Sequence, residues 1–205
     1  DDPDDDVGMM GGVPLPAQDV RGLAPMIFTC GDILRDYIRC NFKGGSNIYS
    51  AHGRILALSR ELYRQVEIPS LDKGARVLST DQFLYYSCIM AGKRFALNPE
   101  ARVFFKLPRS FRDYLLVTVR FMYSADNTSG FFHDRGPGSE FYVPLGIKVG
   151  ALINLARRKP LGAVAWVTYR MAARCLYLCK RYVLKEEVPA VWSIAESTKE
   201  EVGGP

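Results

Sequence analysis

Between Leu161 and Tyr182 the apolar residues fall at the pitch of an α-helix. Leu161, Val164, Met171, Cys175, Leu178 and Tyr182 follow alternating three- and four-residue steps, with Thr168 filling the same register. Side chains so spaced share one helical face, so the segment is expected to be an amphipathic helix with this stripe against a core. Arg170 and Arg174 lie near the middle of the most apolar window, Leu161 to Cys179. Each would cost about 2.5 to 3.5 kcal/mol at the centre of a bilayer, which makes the window a core helix rather than a membrane span. The stretch Phe141 to Ala156 contains a Gly146-x-x-x-Gly150 pair but is short and broken by Pro144 and Lys148, so it too is expected not to cross a membrane.

The same period recurs upstream. Thr29 with Asp32 reads as a capping box ahead of Ile33, Leu34, Tyr37, Ile38 and Phe42, with Gly44-Gly45 as the stop. Ile48, Ile55, Leu58, Leu62 and Val66 predict a second helix from Ser46 or Ser50 to Pro69, forming an antiparallel pair with the first. Ser79 with Gln82 opens a third that ends near Gly92, and Ser110 caps a fourth over Phe111 to Ser124. Ala101 to Leu107, between two prolines, reads as a short strand or extended connector. Residues 124–139 read as a long polar loop, and its Asn127-Thr128-Ser129 as loop sequence rather than a glycosylation site. A helix from Pro144 or Leu145 to Arg158 precedes the Leu161 helix, and a last short one begins after Pro189. The expected fold is predominantly α: a single helical domain of six or seven helices, with room for one short β-hairpin, between flexible acidic tails.

Charge divides the chain in the same places. Residues 1–24 carry six aspartates against Arg21, and residues 186–205 carry five glutamates against Lys199. The intervening stretch, 25–185, has 25 Lys and Arg against 11 Asp and Glu. The expected organisation is a flexible acidic arm at 1–25, a basic helical core at 26–185, and a short acidic helix and tail at 186–205. The arm is rich in Gly, Pro and Asp without a helical or strand period, a composition that does not bury enough apolar surface to offset its ordering entropy.

A basic surplus of this size favours a polyanionic partner. Arg170, Arg174, Tyr177 and Arg181 share one helical face, about a right angle from the apolar stripe. Guanidiniums with an interleaved aromatic track phosphates and stack a base, which suits single-stranded RNA. Arg157, Arg158 and Lys159 end the preceding helix, where cations also complement the helix dipole, and join that surface if the two helices form a hairpin. Arg109 and Arg112, with Arg120, form a third basic group.

Catalytic and metal patterns are weak by comparison. His52 and His133 are the only histidines, neither at a zinc-ligand spacing, and Cys175 and Cys179 have no second ligand pair and read as buried thiols. His133-Asp134-Arg135 beside Gly136-Pro137-Gly138 lacks a nucleophile motif and a phosphate-loop spacing, so turn chemistry explains it. Five scattered cysteines without a secretory leader point to a reducing, intracellular setting. The expectation is therefore a non-enzymatic, self-assembling, coat- or nucleocapsid-like protein, without cofactor or metal, that binds nucleic acid inside a cell or a viral particle. The alternative is a protein-interaction or matrix-type subunit of a larger intracellular assembly whose basic face meets an anionic membrane surface.

Overall fold

The glycine-rich segment expected to be a flexible arm is the middle strand of a sheet. The computed structural model describes residues 6–16, 22–68, 77, 79–108, 110–132, 140 and 142–185. Within them β1 (Val7–Pro16) lies between β2 (Leu56–Leu58) and β3 (Arg94–Phe105). β1 runs antiparallel to β2, with Met9 opposite Leu58 and Gly11 opposite Leu56, and parallel to β3, with Met9 opposite Phe95 and Leu15 opposite Phe104. The chain is thus mixed α/β with a three-stranded mixed sheet, and the predominantly α reading is corrected.

The glycines that argued against a strand are what this strand needs. A Cβ on Gly11 would meet the Phe95 ring at 2.8 Å, and one on Gly12 would meet the Ala101 carbonyl at 2.3 Å. Glycine in a strand commonly marks such a close approach. Pro14 and Pro16 fall beyond the three residues that pair with β2, where one side of the strand has no ladder neighbour among the described residues, the kind of edge position at which proline is tolerated in a sheet.

The helices differ from expectation mainly at their starts. α1 (Leu23–Asn41) begins six residues before Thr29, whose hydroxyl donates to the Pro25 carbonyl at 2.9 Å instead of capping. Asp32 pairs with Arg35 at 3.1 Å rather than closing a capping box. The expected second helix reduces to α2 (Arg60–Gln65), capped by Ser59. Ile48 lies in a turn and Leu58 ends β2, so the predicted antiparallel helix pair does not form. α3 (Thr80–Met90) follows Ser79 and ends before Gly92, at φ 71°. α4 (Phe111–Phe131) is capped by Ser110, which accepts from the Asp113 N–H at 3.0 Å. It absorbs the first part of the expected loop: Thr128 is buried and donates to Gln82 Oε1 at 3.2 Å. α5 (Leu145–Arg158) and α6 (Pro160–Leu178) match their expected spans, and a π-turn (Cys179–Val183) continues α6. The helix after Pro189, the tail at 186–205 and His133-Asp134-Arg135 lie outside the described residues.

Two bodies of core result. Met9, Leu62, Tyr85, Tyr86 and Phe95 close over the sheet, where Tyr85 donates to Glu140 Oε2 at 2.9 Å. Burial and the Glu140 carboxylate hold that phenol protonated far above its ordinary range. On the other side α1 is the common floor for α4, α5 and α6. Phe28 packs against Phe105 and Tyr114 there, and Tyr114 stacks on Tyr169 at 4.6 Å.

Candidate functional site

α5 and α6 are joined only by Lys159, with Pro160 at the first helical position of α6, where a missing N–H is harmless. Both helices pack on α1 and on each other. Small residues set how closely they lie. A Cβ on Gly162 of α6 would meet Cys30 Sγ of α1 at 2.7 Å, and one on Gly150 of α5 would meet the Tyr37 hydroxyl at 2.7 Å.

This close packing inverts α6 relative to its expected orientation. The buried face is Gly162, Tyr169, Ala173 and Tyr177, a second helical register on the opposite side from the aliphatic stripe. Leu161 is 84% exposed, Met171 66% and Tyr182 66%; Val164, Cys175 and Leu178 are exposed with them. The stripe predicted to face the core therefore faces outward, and the cysteines expected to be buried, Cys175 and Cys179, are both exposed. Leu145, Val149, Leu152 and Ile153 of α5 add to the outward apolar surface. A register of Gly, Ala and Tyr scores lower in hydrophobicity than one of Leu, Val and Met, yet it permits the closer helix approach.

The predicted basic residues have separate fates. Arg157, Arg158 and Lys159 are exposed at the hairpin tip, and Arg170 and Arg174 are exposed along α6. Lys159 and Arg170 are separated by roughly 16 Å of helix rise, so the cations string along the hairpin and form no single cluster. Tyr177 is 2% exposed, packed edge-on against Tyr123 at 5.0 Å, with the Arg174 guanidinium 5.2 Å above its ring. Its assignment as a base-stacking residue is corrected, because that ring is already covered. Arg181 is half-buried and engaged by a neighbour within the described residues. Arg112 is exposed in the first turn of α4, away from the hairpin tip, and Arg109 lies outside the described residues.

Sequence reasoning missed a cavity of about 450 Å³ beneath the hairpin. Leu34 and Ile38 of α1, Val117 of α4 and Leu152 of α5 form apolar wall, and Trp166 of α6 closes one side. Three cations reach it from three helices: Arg35, Lys148 and Arg170. Trp166, Arg170 and Leu152 also line an adjoining outward groove with Met171, Arg174 and Cys175. A smaller pocket of about 200 Å³ shares Arg35 and Tyr49 and is lined by Asp32 and His52. Burial lifts the Asp32 carboxyl to about 6 despite Arg35, and burial with the Arg54 and Arg35 charges lowers His52 to about 4. Spacing along one helix does not reveal such a site, since its three cations come from different elements.

Together these features define a mixed α/β domain carrying an amphipathic helical hairpin, one apolar face of which is exposed among the described residues. Family models, curated proteins and solved structures give no match to it. Among the described residues no helix is long and apolar enough to cross a membrane, and no group of three His, Cys, Asp or Glu is placed to hold a metal ion.

Proposed function

We propose that the chain is a matrix-type subunit that rests on an anionic lipid surface through the α5–α6 hairpin. The observation that carries this reading is the outward stripe of α6, Leu161, Val164, Met171, Leu178 and Tyr182, bordered along one edge by Arg170 and Arg174. Helices that lie in a bilayer interface have this cross-section: apolar side chains enter the acyl boundary while cations at the border snorkel to phosphate. Burying a Val, Leu or Met side chain fully gains about 1.5 to 3 kcal/mol, and a Lys or Arg near an anionic surface gains about 1 kcal/mol. Apolar insertion is thus the larger contribution and charge selects the lipid. The exposed cations also support the nucleic-acid reading, but the stripe beside them has no role in binding phosphate alone.

Flotation with phosphatidylcholine vesicles, with and without phosphatidylserine, tests this. The expected result is binding that requires phosphatidylserine, weakens with salt, and disappears in Val164→Asp/Met171→Asp while circular dichroism is unchanged. A double variant that floats like wild type overturns the proposal. So does wild type that ignores vesicles yet binds single-stranded RNA, losing about 0.7 of salt slope per phosphate contact removed among Arg157, Arg158, Lys159, Arg170 and Arg174. If the double variant instead splits a dimer on size exclusion and no vesicle binding is seen, the stripe joins two copies of the chain.

A further inference from the structure

We infer that the cavity beneath the hairpin is a binding site for a single-chain anionic amphiphile with a phosphate monoester head. The inference rests on the cavity itself and stands whether or not the outer face of α6 meets a membrane. At about 450 Å³ the space falls within the range of small-molecule sites, roughly 300 to 1,000 Å³, and its composition is the usual one: mostly apolar wall with a few convergent polar groups.

Charge selects the head group. Arg35 is already paired with Asp32 at 3.1 Å, whereas among the described residues neither Lys148 nor Arg170 has a carboxylate partner. Their charges rest over aromatic rings instead, Lys148 over Tyr142 at 5.6 Å and Arg170 over Trp166 at 5.7 Å. Two exposed cations at the mouth of an apolar cavity, without a carboxylate partner among the described residues, match a phosphate monoester, which carries about −1.5 to −2 at neutral pH. Arg170 supplies a planar fork for two phosphate oxygens and Lys148 a point charge. A neutral amphiphile would gain nothing from the two cations, and a cationic one would be repelled by them.

The Thr118 hydroxyl and the Tyr114 carbonyl are engaged by Tyr169. Tyr169 donates to the Tyr114 carbonyl at 3.1 Å, which leaves the Thr118 hydroxyl, 2.6 Å away, to donate to the Tyr169 oxygen. Burial keeps the Tyr114 phenol protonated well above its ordinary range, so it adds no negative charge to oppose the ligand. Leu34, Ile38, Val117 and Leu152 are left to enclose an aliphatic tail. Access is available from the neighbouring groove, with which the cavity shares Leu152, Trp166 and Arg170.

The test uses the full chain carrying Trp192→Phe, so that Trp166 is the only tryptophan. Dodecyl phosphate is titrated below its micellar concentration, without vesicles, following Trp166 emission with stoichiometry from calorimetry. The expected result is saturable one-to-one binding, with inorganic phosphate, dodecanol and dodecyltrimethylammonium each at least about tenfold weaker because each lacks half of the recognition or reverses its sign. Arg170→Gln and Lys148→Gln should each weaken dodecyl phosphate by about tenfold, and Arg158→Gln, at the hairpin tip, should not. Val117→Trp should fill the space and abolish binding; should that variant fail to fold, the two cation variants still decide. Equal binding of inorganic phosphate, equal binding of the cationic amphiphile, absence of saturation, or indifference to both Arg170→Gln and Lys148→Gln each overturns the inference. Leu161 and Val164 are not among the residues that line the cavity, so Leu161→Asp/Val164→Asp alters the outer face alone. It should release vesicles while leaving dodecyl phosphate binding intact, which separates a failure of this site from a failure of the membrane reading.

Discussion

Around the sheet, the side chains withdrawn from solvent are among the largest of their segments: Met9, Tyr85, Tyr86 and Phe95, with Leu62 beneath them. In the α5–α6 hairpin the withdrawn residues are Gly162, Ala151 and Ala173 with Leu155 and two tyrosines, while Leu161, Val164 and Met171 stay outside. Ordinary core formation accounts for the first region, since burying large apolar surface is the main favourable contribution to folding. The second exchanges some of that burial for closeness of backbones and leaves its aliphatic side chains for a surface other than its own core. The two regions should therefore respond oppositely to substitution of a large apolar residue.

The largest effect should come from the sheet. Phe95→Ala removes a fully buried ring and should cost about 3 to 5 kcal/mol, or about 6 to 20 °C in Tm for a domain of this size. Leu161→Ala, from an equally apolar position, should shift Tm by no more than about 2 °C, the range of a surface change. A comparable loss at Leu161 would mean that the hairpin has an ordinary core face after all.

Next in size is a pH effect beside the smaller pocket. Asp32 is raised from 3.8 to about 6, so the folded state holds more protons there and this group's contribution falls as pH rises from about 4 to 6. His52 is lowered from 6.5 to about 4, so the folded state holds fewer protons there and its contribution rises over about 4 to 6.5. Each amounts to about 3 kcal/mol across its window and the two oppose each other, so wild-type stability should be nearly flat there. In denaturant titrations His52→Asn should become less stable from pH 4 to 6, and Asp32→Asn more stable from pH 4 to 6.5. Parallel slopes in the two variants would sink the assignment.

A smaller effect should come from the hairpin's close approach. Gly162→Val must displace Cys30 Sγ, at about 1 to 3 kcal/mol for overpacking, whereas Gly146→Ala, with nothing within 4 Å, should leave stability equal or slightly higher. Differential scanning calorimetry of the pair would show whether spacing, rather than hydrophobic area, holds α6 in place.

Where local chemistry decides, the sequence is legible. Ser110 with Asp113 marks the start of α4, and Pro160 separates α5 from α6 where the apolar period predicts. Where the deciding partner is distant, the signal fails. Gly11 and Gly12 look like loop residues until Phe95 and Ala101 come to lie against them. Ile55, Leu58 and Leu62 keep helical spacing by coincidence, since β2 and α2 divide the segment between them. The stripe of α6 is read correctly as a helical face and placed on the wrong side, because hydrophobicity ranks Leu and Met above the Gly and Ala that fit against α1. The cavity was least legible of all, its charges arriving from α1, α5 and α6.

The central place of β1 also carries a temporal cost. Its neighbours β2 and β3 lie downstream, and the last residue opposite it is Phe105, about 90 residues after β1 ends. At ribosomal rates of about 5 to 20 residues per second, β2 is made within roughly 2 to 8 s, but Val7–Pro16 waits roughly 4 to 18 s for the whole of β3, with the ladder groups on that side left to water. Parallel pairing at such separation forms late in any case, because the intervening loop must close first. For those seconds the nascent chain presents a strand with one long side still open, and a holdase that recognises extended apolar backbone would find its window before Phe105 leaves the exit tunnel.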